Sequence, residues 1–430
     1  MDWKSYYKDR LVTSDEAIAN IKPNDRVFLS GNVTTPNHLV QALAKRAPSL
    51  SNIELNHLLT FGEDPFINIP QVFNNAWFLG PSIRKAVNEG KSQYIPIFLR
   101  EIATLVRSGN WDINVALINV SPPDRFGFMS YGAEVSITKP CAEAAKIVIA
   151  QVNNLMPRTL GDSFLHVNEV DFFVEMDEPL VELPAKPASA VELEIGQRIA
   201  AIIEDGSTLQ MGIGGIPNAV LQSLGSKTGL GIHTEMLSDG VLPLLESGVI
   251  NNQNKGIHRG KTITGFAMGS KKLYDYIDNN PMFEFRPSHF TNDPFMIAQN
   301  NKMVAINSAI EVDLTGQVVA DSIGTNIYSG IGGQLDFIRG AARARNEGGK
   351  PIIALPSTAK SGKESRITPF IKQGAGVVTS RGDVHFVATE YGIVDLFGKN
   401  LKQRAELLIS IAHPDFREQL TKEAHWLNLS

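Results

Sequence analysis

Residues 210–240 run QMGIGGIPNAVLQSLGSKTGLGIHTEMLSDG, and the fold follows from how they are read. Three glycines, Gly212, Gly214 and Gly215, precede a segment that takes in Pro217 and stays amphipathic to Gly225. Glycine lets a chain turn sharply, and proline suits the first turn of a helix, where its missing N–H is no loss. A short apolar run, GLGIH, then delivers Glu235 just before Ser238-Asp239-Gly240. Turn, helix and strand in this order make the unit of an open α/β sheet.

The unit recurs. GIGGIPNAVLQSL (212–224) aligns with GNVTTPNHLVQAL (31–43), matching Gly212 with Gly31, Pro217 with Pro36, Asn218 with Asn37, Gln222 with Gln41 and Leu224 with Leu43. Downstream, EVDLTGQ (311–317) echoes VSPPDRFG (120–127) through a shared D-x-x-G turn, and DVHFVA (383–388) echoes EVDFFVE (169–175). The matches keep their order while their separation grows, as in a duplicated unit with insertions in its second copy. In the first copy the strand-like runs are RVFLSG (26–31), NIELNHLL (52–59), NVALINV (114–120), KIVIAQV (146–152) and VDFFVEM (170–176). Helical stretches at 100–108 and 133–145 lie between them, which predicts a mainly parallel sheet. The proline-rich segment 178–189 separates the copies. The expectation is two tandem, related open α/β domains, residues 1–185 and 186–430.

Two smaller signals concern the ends. Ser14-Asp15-Glu16-Ala17 reads as a helix start capped by Ser or Asp. Residues 400–425 read as a helix, a break at Pro414 and a second helix, with apolar positions that pack rather than bind.

Composition narrows the functional classes. With 430 residues, 43% apolar, 20% charged and a net charge of −5, the chain is expected to be a globular protein without a nucleic-acid arm. Cys141, the only cysteine, excludes an internal disulfide and sits at the apolar start of CAEAAKIVIA, so it reads as a buried thiol. MDWKSYYKDRLVTSDEA carries no signal-peptide core and no apolar run reaches spanning length, so a cytoplasmic location is expected. The nine histidines show no metal-binding spacing, and no G-x-S-x-G elbow occurs.

Four loops could carry chemistry. GIGGIP lacks the last glycine of a dinucleotide fingerprint and reads either as an anion-binding turn or as a plain strand-to-helix connection. SGIGGQLDF offers Gly330, Gly332 and Gly333 for close backbone approach, with Gln334 as a possible donor, or is a simple helix entry. In ALPSTAKSGKES, Lys360 and Lys363 are either phosphate contacts or solvated loop lysines. Glu235 would be nucleophilic only if desolvated and oriented, and His233, on the same strand face, reads as a hydrogen-bonded core histidine.

Taken together, SPPDRFGFMSYG, QVNNLMPRTLGDSFLH, GIGGIPNAV, IHTEMLSDG, SGIGGQLDFIRGA and EYGIVDLF resemble the acetyl-CoA hydrolase/transferase family of CoA-transferases, from about residue 10 to the C-terminus. The IHTEM-x-SDG form is most similar to members acting on butyrate and 4-hydroxybutyrate. The resemblance implies two CoA-transferase-like α/β halves with the active site in the cleft between them. It makes Glu235 the nucleophile, and Gly212, Ile213, Gly214, Gly215, Ile216, Ile310, Gly333 and Lys360 the CoA-binding positions. It also implies a ping-pong exchange of CoA between acetyl-CoA or acetate and a short-chain carboxylate, with coenzyme A as substrate and no tightly bound cofactor or metal. A short-chain acyl-CoA hydrolase using the same glutamyl intermediate, and a non-catalytic acyl-CoA-binding protein, are the alternatives. No nucleic-acid or membrane partner is expected, and a homodimer or higher homo-oligomer is the expected assembly.

Overall fold

The alternation of strands and helices runs through the whole computed structural model, which describes residues 2–429 apart from 63, 186, 345 and 346. The chain divides into two units. One runs to Leu183 and takes in Ile263–Thr291, and the other comprises Pro184–Thr262 and the chain from Asn292 onward.

In the first unit seven strands form one sheet: β1 (Arg26–Leu29), β2 (Ile53–Leu58), β3 (Val72–Phe78), β4 (Gln93–Tyr94), β5 (Ile113–Val120), β6 (Ala145–Val152) and β7 (Phe172–Glu175). Their order is β4-β3-β2-β1-β5-β6-β7, and every neighbouring pair is parallel. Central β5 is buried along almost its whole length, as a parallel strand covered on both faces must be. Val27, Leu29, Leu55, Val115 and Leu117 share a core with Leu39 and Leu43 of helix α1 (Asn37–Arg46). The segment from 263 to 291 joins this unit through backbone bonds, among them Val135 N–H to Gly265 O at 3.1 Å and Ala267 N–H to Ala133 O at 2.9 Å.

Those bonds shorten the helix expected over 133–145 to Thr138–Ala144. Glu134 forms an isolated antiparallel bridge with Phe266 instead of a helical turn, and its fully buried side chain needs donors around it. Its carboxylate accepts from Ser136 Oγ at 2.5 Å, from Ile137 N–H at 3.1 Å and from Asn32 Nδ2. The first helix signal also shifts by a residue. Thr13 caps Ser14–Ile18, accepting from Glu16 N–H at 3.3 Å while the Glu16 carboxylate accepts from Thr13 N–H at 2.9 Å. That is a capping box, which satisfies two helix-end donors at once.

The second unit opens on helix α2 (Ala190–Ile202) and builds its sheet from β8 (Thr208–Met211), β9 (Gly231–Leu237), β10 (Met303–Ser308), β11 (Lys350–Ala354), β12 (Phe386–Thr389) and β13 (Gly392–Asp395). These lie in the order β9-β8-β10-β11-β12-β13, parallel except for the last, antiparallel pair. The run β9-β8-β10-β11-β12 repeats the order β2-β1-β5-β6-β7. The D-x-x-G turns repeat in atomic detail as well. Asp124 Oδ1 accepts from the N–H groups of Phe126 and Phe128, and Asp313 Oδ1 from those of Thr315 and Gln317. Gly127 and Gly316 close these turns at φ of 87° and 94°. The chain ends in two helices, Leu401–Ser410 and Pro414–Trp426, whose Leu408, Leu420 and Ala424 pack in a cluster with Val312, Ile353 and Val387. Among the described residues no helix is long and apolar enough to cross a membrane.

Candidate active site

The positions singled out from the sequence lie on the second unit, mostly where its loops leave the carboxyl ends of the strands. Open α/β sheets bind ligands there. Glu235 sits near the end of β9. Thr208 pairs with Gly231 and Leu209 with Ile232, so two residues further along Met211 runs beside Thr234. The Thr234 hydroxyl fastens the two strands, 3.1 Å from Met211 O and accepting from Met211 N–H at 3.4 Å. One residue on, the turn that starts at Gly212 leaves β8 level with Glu235.

Asn292 and Gly333 flank the carboxylate. Asn292, fully buried, donates through Nδ2 to Glu235 Oε2 at 2.5 Å. Gly333, which precedes helix α4 (Gln334–Arg343), brings bare backbone against the same oxygen. A Cβ at 333 would stand 2.0 Å from Glu235 Oε2 and 2.1 Å from Asn292 Nδ2, so glycine is required for this approach. Protein atoms crowd the carboxyl although part of the residue still reaches solvent. Burial pushes it up to about 7, and the Asn292 hydrogen bond pulls the other way. A carboxyl poised near neutrality is ionised often enough to attack and is poorly hydrated when it does.

Beneath this layer lies a second one. His233 is fully buried on the same face of β9, its Nδ1 3.2 Å from Asn300 Nδ2 and its ring edge-on to Phe337 of α4. His233 is thus the hydrogen-bonded core residue its position suggested. Asn292 and Asn300 serve the two layers from one segment, as do Gly333, at the N-cap of α4, and Phe337 within it.

The glycine turn is built as a short connection into helix α3 (Gly215–Gln222), with Gly214 at φ 125°. A Cβ at Gly212 or Gly214 would meet nothing within 4 Å, and Ile213 is 54% exposed, so this part of the turn is open. Gly215 is different, since a Cβ there would lie 2.0 Å from the Glu192 carboxylate of α2. Ile216 is buried, so only its backbone could meet a ligand. Ile310 follows β10, and its N–H donates to Val319 O at 2.8 Å. Gln334, expected as a possible substrate donor, is engaged within the protein, its Nε2 donating to Ser308 O at 2.8 Å and its Oε1 accepting from Thr379 Oγ1 at 3.0 Å. Lys360 lies at the tip of a hairpin, Thr358–Ala359 with Glu364–Ser365, where its Nζ pairs with Glu364 at 2.7 Å. The structure brings Gly333 to Glu235 directly and gives Lys360 an acidic neighbour of its own.

The duplication shows what the first copy lacks. Val27 pairs with Leu55 as Thr208 pairs with Gly231, so by register His57 matches His233 and Leu59 matches Glu235. The first copy keeps the buried histidine and has no carboxylate at the next position on that face. Asn292 was missed from sequence. In Thr291-Asn292-Asp293-Pro294 it reads as part of a turn, and nothing in that pattern points to a carboxylate 57 residues earlier. Cys141 is fully buried, which pushes its thiol well above the ordinary range.

Models of the acetyl-CoA hydrolase/transferase N-terminal and C-terminal domains match residues 1–183 and 269–424. The 4-hydroxybutyrate coenzyme A transferase of Clostridium kluyveri is 49% identical over 98% of this chain and 99% of its own. The butyryl-CoA:acetate CoA-transferase of Anaerostipes caccae is 38% identical over 99% and 98%. Among solved structures, RipA from Yersinia pestis superposes with a TM-score of 0.94 at 34% identity, covering all of both chains. The 4-hydroxybutyrate CoA-transferase from Porphyromonas gingivalis gives 0.85 at 39% identity, covering 99% of this chain and 100% of the other.

Proposed function

The chain belongs to the acetyl-CoA hydrolase/transferase family and is a CoA-transferase, and on that premise we propose that it works by a ping-pong route through a glutamyl-CoA thioester on Glu235. The substrates in this reading are acetyl-CoA or acetate and a short-chain carboxylate, 4-hydroxybutyrate or butyrate, in line with the names of the relatives. In this reading residues 1–185, joined by 263–291, form the N-terminal CoA-transferase-like domain, and the rest of 186–430 carries the catalytic glutamate and the CoA loops.

The observation that carries the reading is the Glu235 carboxylate held between the Asn292 amide and the bare backbone of Gly333. A carboxylate in that clamp attacks the thioester carbonyl of the acyl-CoA. The carbon–sulfur bond breaks, leaving an acyl-glutamyl anhydride and CoA thiolate. The thiolate then attacks the glutamyl carbonyl, the donor carboxylate leaves and a Glu235–CoA thioester remains. The acceptor carboxylate runs the same two steps in reverse. Splitting the exchange this way makes a weak nucleophile sufficient, because each step trades one activated acyl bond for another. The tetrahedral intermediates need N–H donors, for which the turn at 212–215 and the backbone around Gly333 are the candidates. Ionised, Glu235 is the nucleophile; with its carboxyl near 7, both forms are populated at neutral pH.

The test is direct. Incubation with acetyl-CoA and no acceptor, followed by peptide mass spectrometry, is expected to show CoA attached to Glu235. Absence of that adduct together with full activity in Glu235→Gln would refute the mechanism.

A further inference from the structure

Arg366 stands among three of the loops assigned above to CoA, yet its own chemistry is unfinished. Its backbone is pinned on both sides, with Arg366 N–H donating to Ser357 O at 2.9 Å and Arg366 O accepting from Val312 N–H at 2.9 Å. The guanidinium is therefore presented from a rigid base. It is half-buried, and its one side-chain hydrogen bond among the described residues is a long one, Nη1 to Ala309 O at 3.4 Å. Nε is buried and has no hydrogen-bond partner among the described residues.

The nearby acids do not complete it. Glu390 attracts the guanidinium electrostatically, but among the described residues its carboxylate accepts from Ser357, from the N–H at 2.9 Å and from Oγ at 2.6 Å, and makes no ion pair with Arg366. Burial pulls the Arg366 guanidinium below its ordinary value, the direction expected for a cation short of counter-charge. Arginine carries five donors in a fixed fork, and a buried Nε–H without an acceptor is costly unless a ligand takes it.

Its neighbours indicate which ligand. Ala309, whose carbonyl it touches, precedes Ile310, and Ser308 accepts from Gln334, the residue after Gly333. Arg366 follows the hairpin that carries Lys360 and Lys363, so three cations fall within seven residues. Arginine forks match phosphate oxygens in a bidentate geometry that lysine cannot reproduce.

We propose that Arg366 binds a phosphate group of coenzyme A, anchoring the nucleotide end of the substrate on the rigid strand edge at the root of the 358–365 hairpin. The proposal rests on the reading that this site takes acyl-CoA, and its test separates the two. Binding of CoA, of 3′-dephospho-CoA and of pantetheine is measured by calorimetry on wild type, Arg366→Met and Arg366→Lys, with thermal melting as the check on folding. The expected result is that CoA binds ~10- to 100-fold more weakly to Arg366→Met and by a smaller factor to Arg366→Lys, while pantetheine binds all three alike. A loss seen with CoA and absent with 3′-dephospho-CoA places the contact at the 3′-phosphate, and an equal loss with both places it at the pyrophosphate. Should Arg366→Met not fold, Arg366→Lys alone carries the comparison. CoA affinity within twofold of wild type in a folded variant would overturn the proposal, as would equal losses for CoA and pantetheine. Failure of wild type itself to bind CoA would instead overturn the reading on which it rests.

Discussion

Gly333→Ala is the smallest change that should separate the fold from the chemistry. The backbone at 333 has φ −107° and ψ 9°, which alanine adopts without strain, and the residue lies just before α4 rather than in a strand. The added Cβ, however, would stand 2.0 Å from Glu235 Oε2 and 2.1 Å from Asn292 Nδ2, whereas real Cβ contacts do not fall below 3.0 Å. The carboxylate, the amide or the start of the helix must therefore shift by about 1 Å. Misplacement on that scale costs on the order of 100-fold in rate even when every chemical group is retained. Steady-state turnover of acetyl-CoA with butyrate should show kcat reduced by ~30- to 300-fold, with a melting temperature close to wild type. Gly225→Ala, whose Cβ meets nothing within 4 Å, serves as the control and should match wild type. A folded Gly333→Ala protein with kcat within threefold of wild type would refute the reasoning, because it would mean that the close approach of Gly333 to Glu235 does not matter for turnover.

Three further outcomes are expected. On the proposed mechanism Glu235 must be ionised to attack, and burial lifts it to about 7, so kcat/KM for acyl-CoA should fall about tenfold per pH unit below that value and level off above it, and a limb near pH 4–5 would contradict this. Asn292→Ala removes the hydrogen bond that favours the ionised form, so the acid limb should move to higher pH and kcat should drop ~10-fold or more, which a pH–rate profile of the variant measures. Stability gives an independent reading. A carboxyl raised from 4.5 to about 7 binds its proton more tightly folded than unfolded, so its burial costs nothing below about pH 4.5 and costs most above 7. Glu235→Gln should therefore be the more stable protein at pH 8, by roughly 1–3 kcal/mol, and lose that advantage as the pH falls towards 4.5; denaturant melts at the two pH values check it.

Much of the architecture was legible because it depends on local pattern. Apolar runs predicted β1, β2, β5, β6 and β7 to within a residue or two at each end. β3 and β4 were not singled out. Val72–Phe78 carries two asparagines at its centre, and Gln93–Tyr94 is too short to show a period. The cap at Thr13 was placed one residue late because Ser14 and Thr13 are both good caps, and only the reciprocal bond from Glu16 distinguishes them. The helix start near 133 was placed early because Glu134 fits a helical first turn equally well. Its antiparallel bridge to Phe266, far along the chain, takes the place of that turn.

By itself the sequence determined that the protein is duplicated. Glycine, proline and Asx turns depend on backbone geometry that few residue types satisfy, so both copies retain them at matching places. It also put Glu235 among the candidates, as a carboxylate between an apolar strand and a turn, and the resemblance of the surrounding motifs made it the expected nucleophile. Only the tertiary structure decided what surrounds that carboxylate: that Asn292 donates to it, that Gly333 must be glycine and that His233 and Asn300 lie beneath. It also decided that 263–291 joins the first unit and that Leu59 takes the place of Glu235 in the first copy. These are contacts between residues far apart in sequence. They follow from strand register and close packing, and neither leaves a periodic trace in the chain.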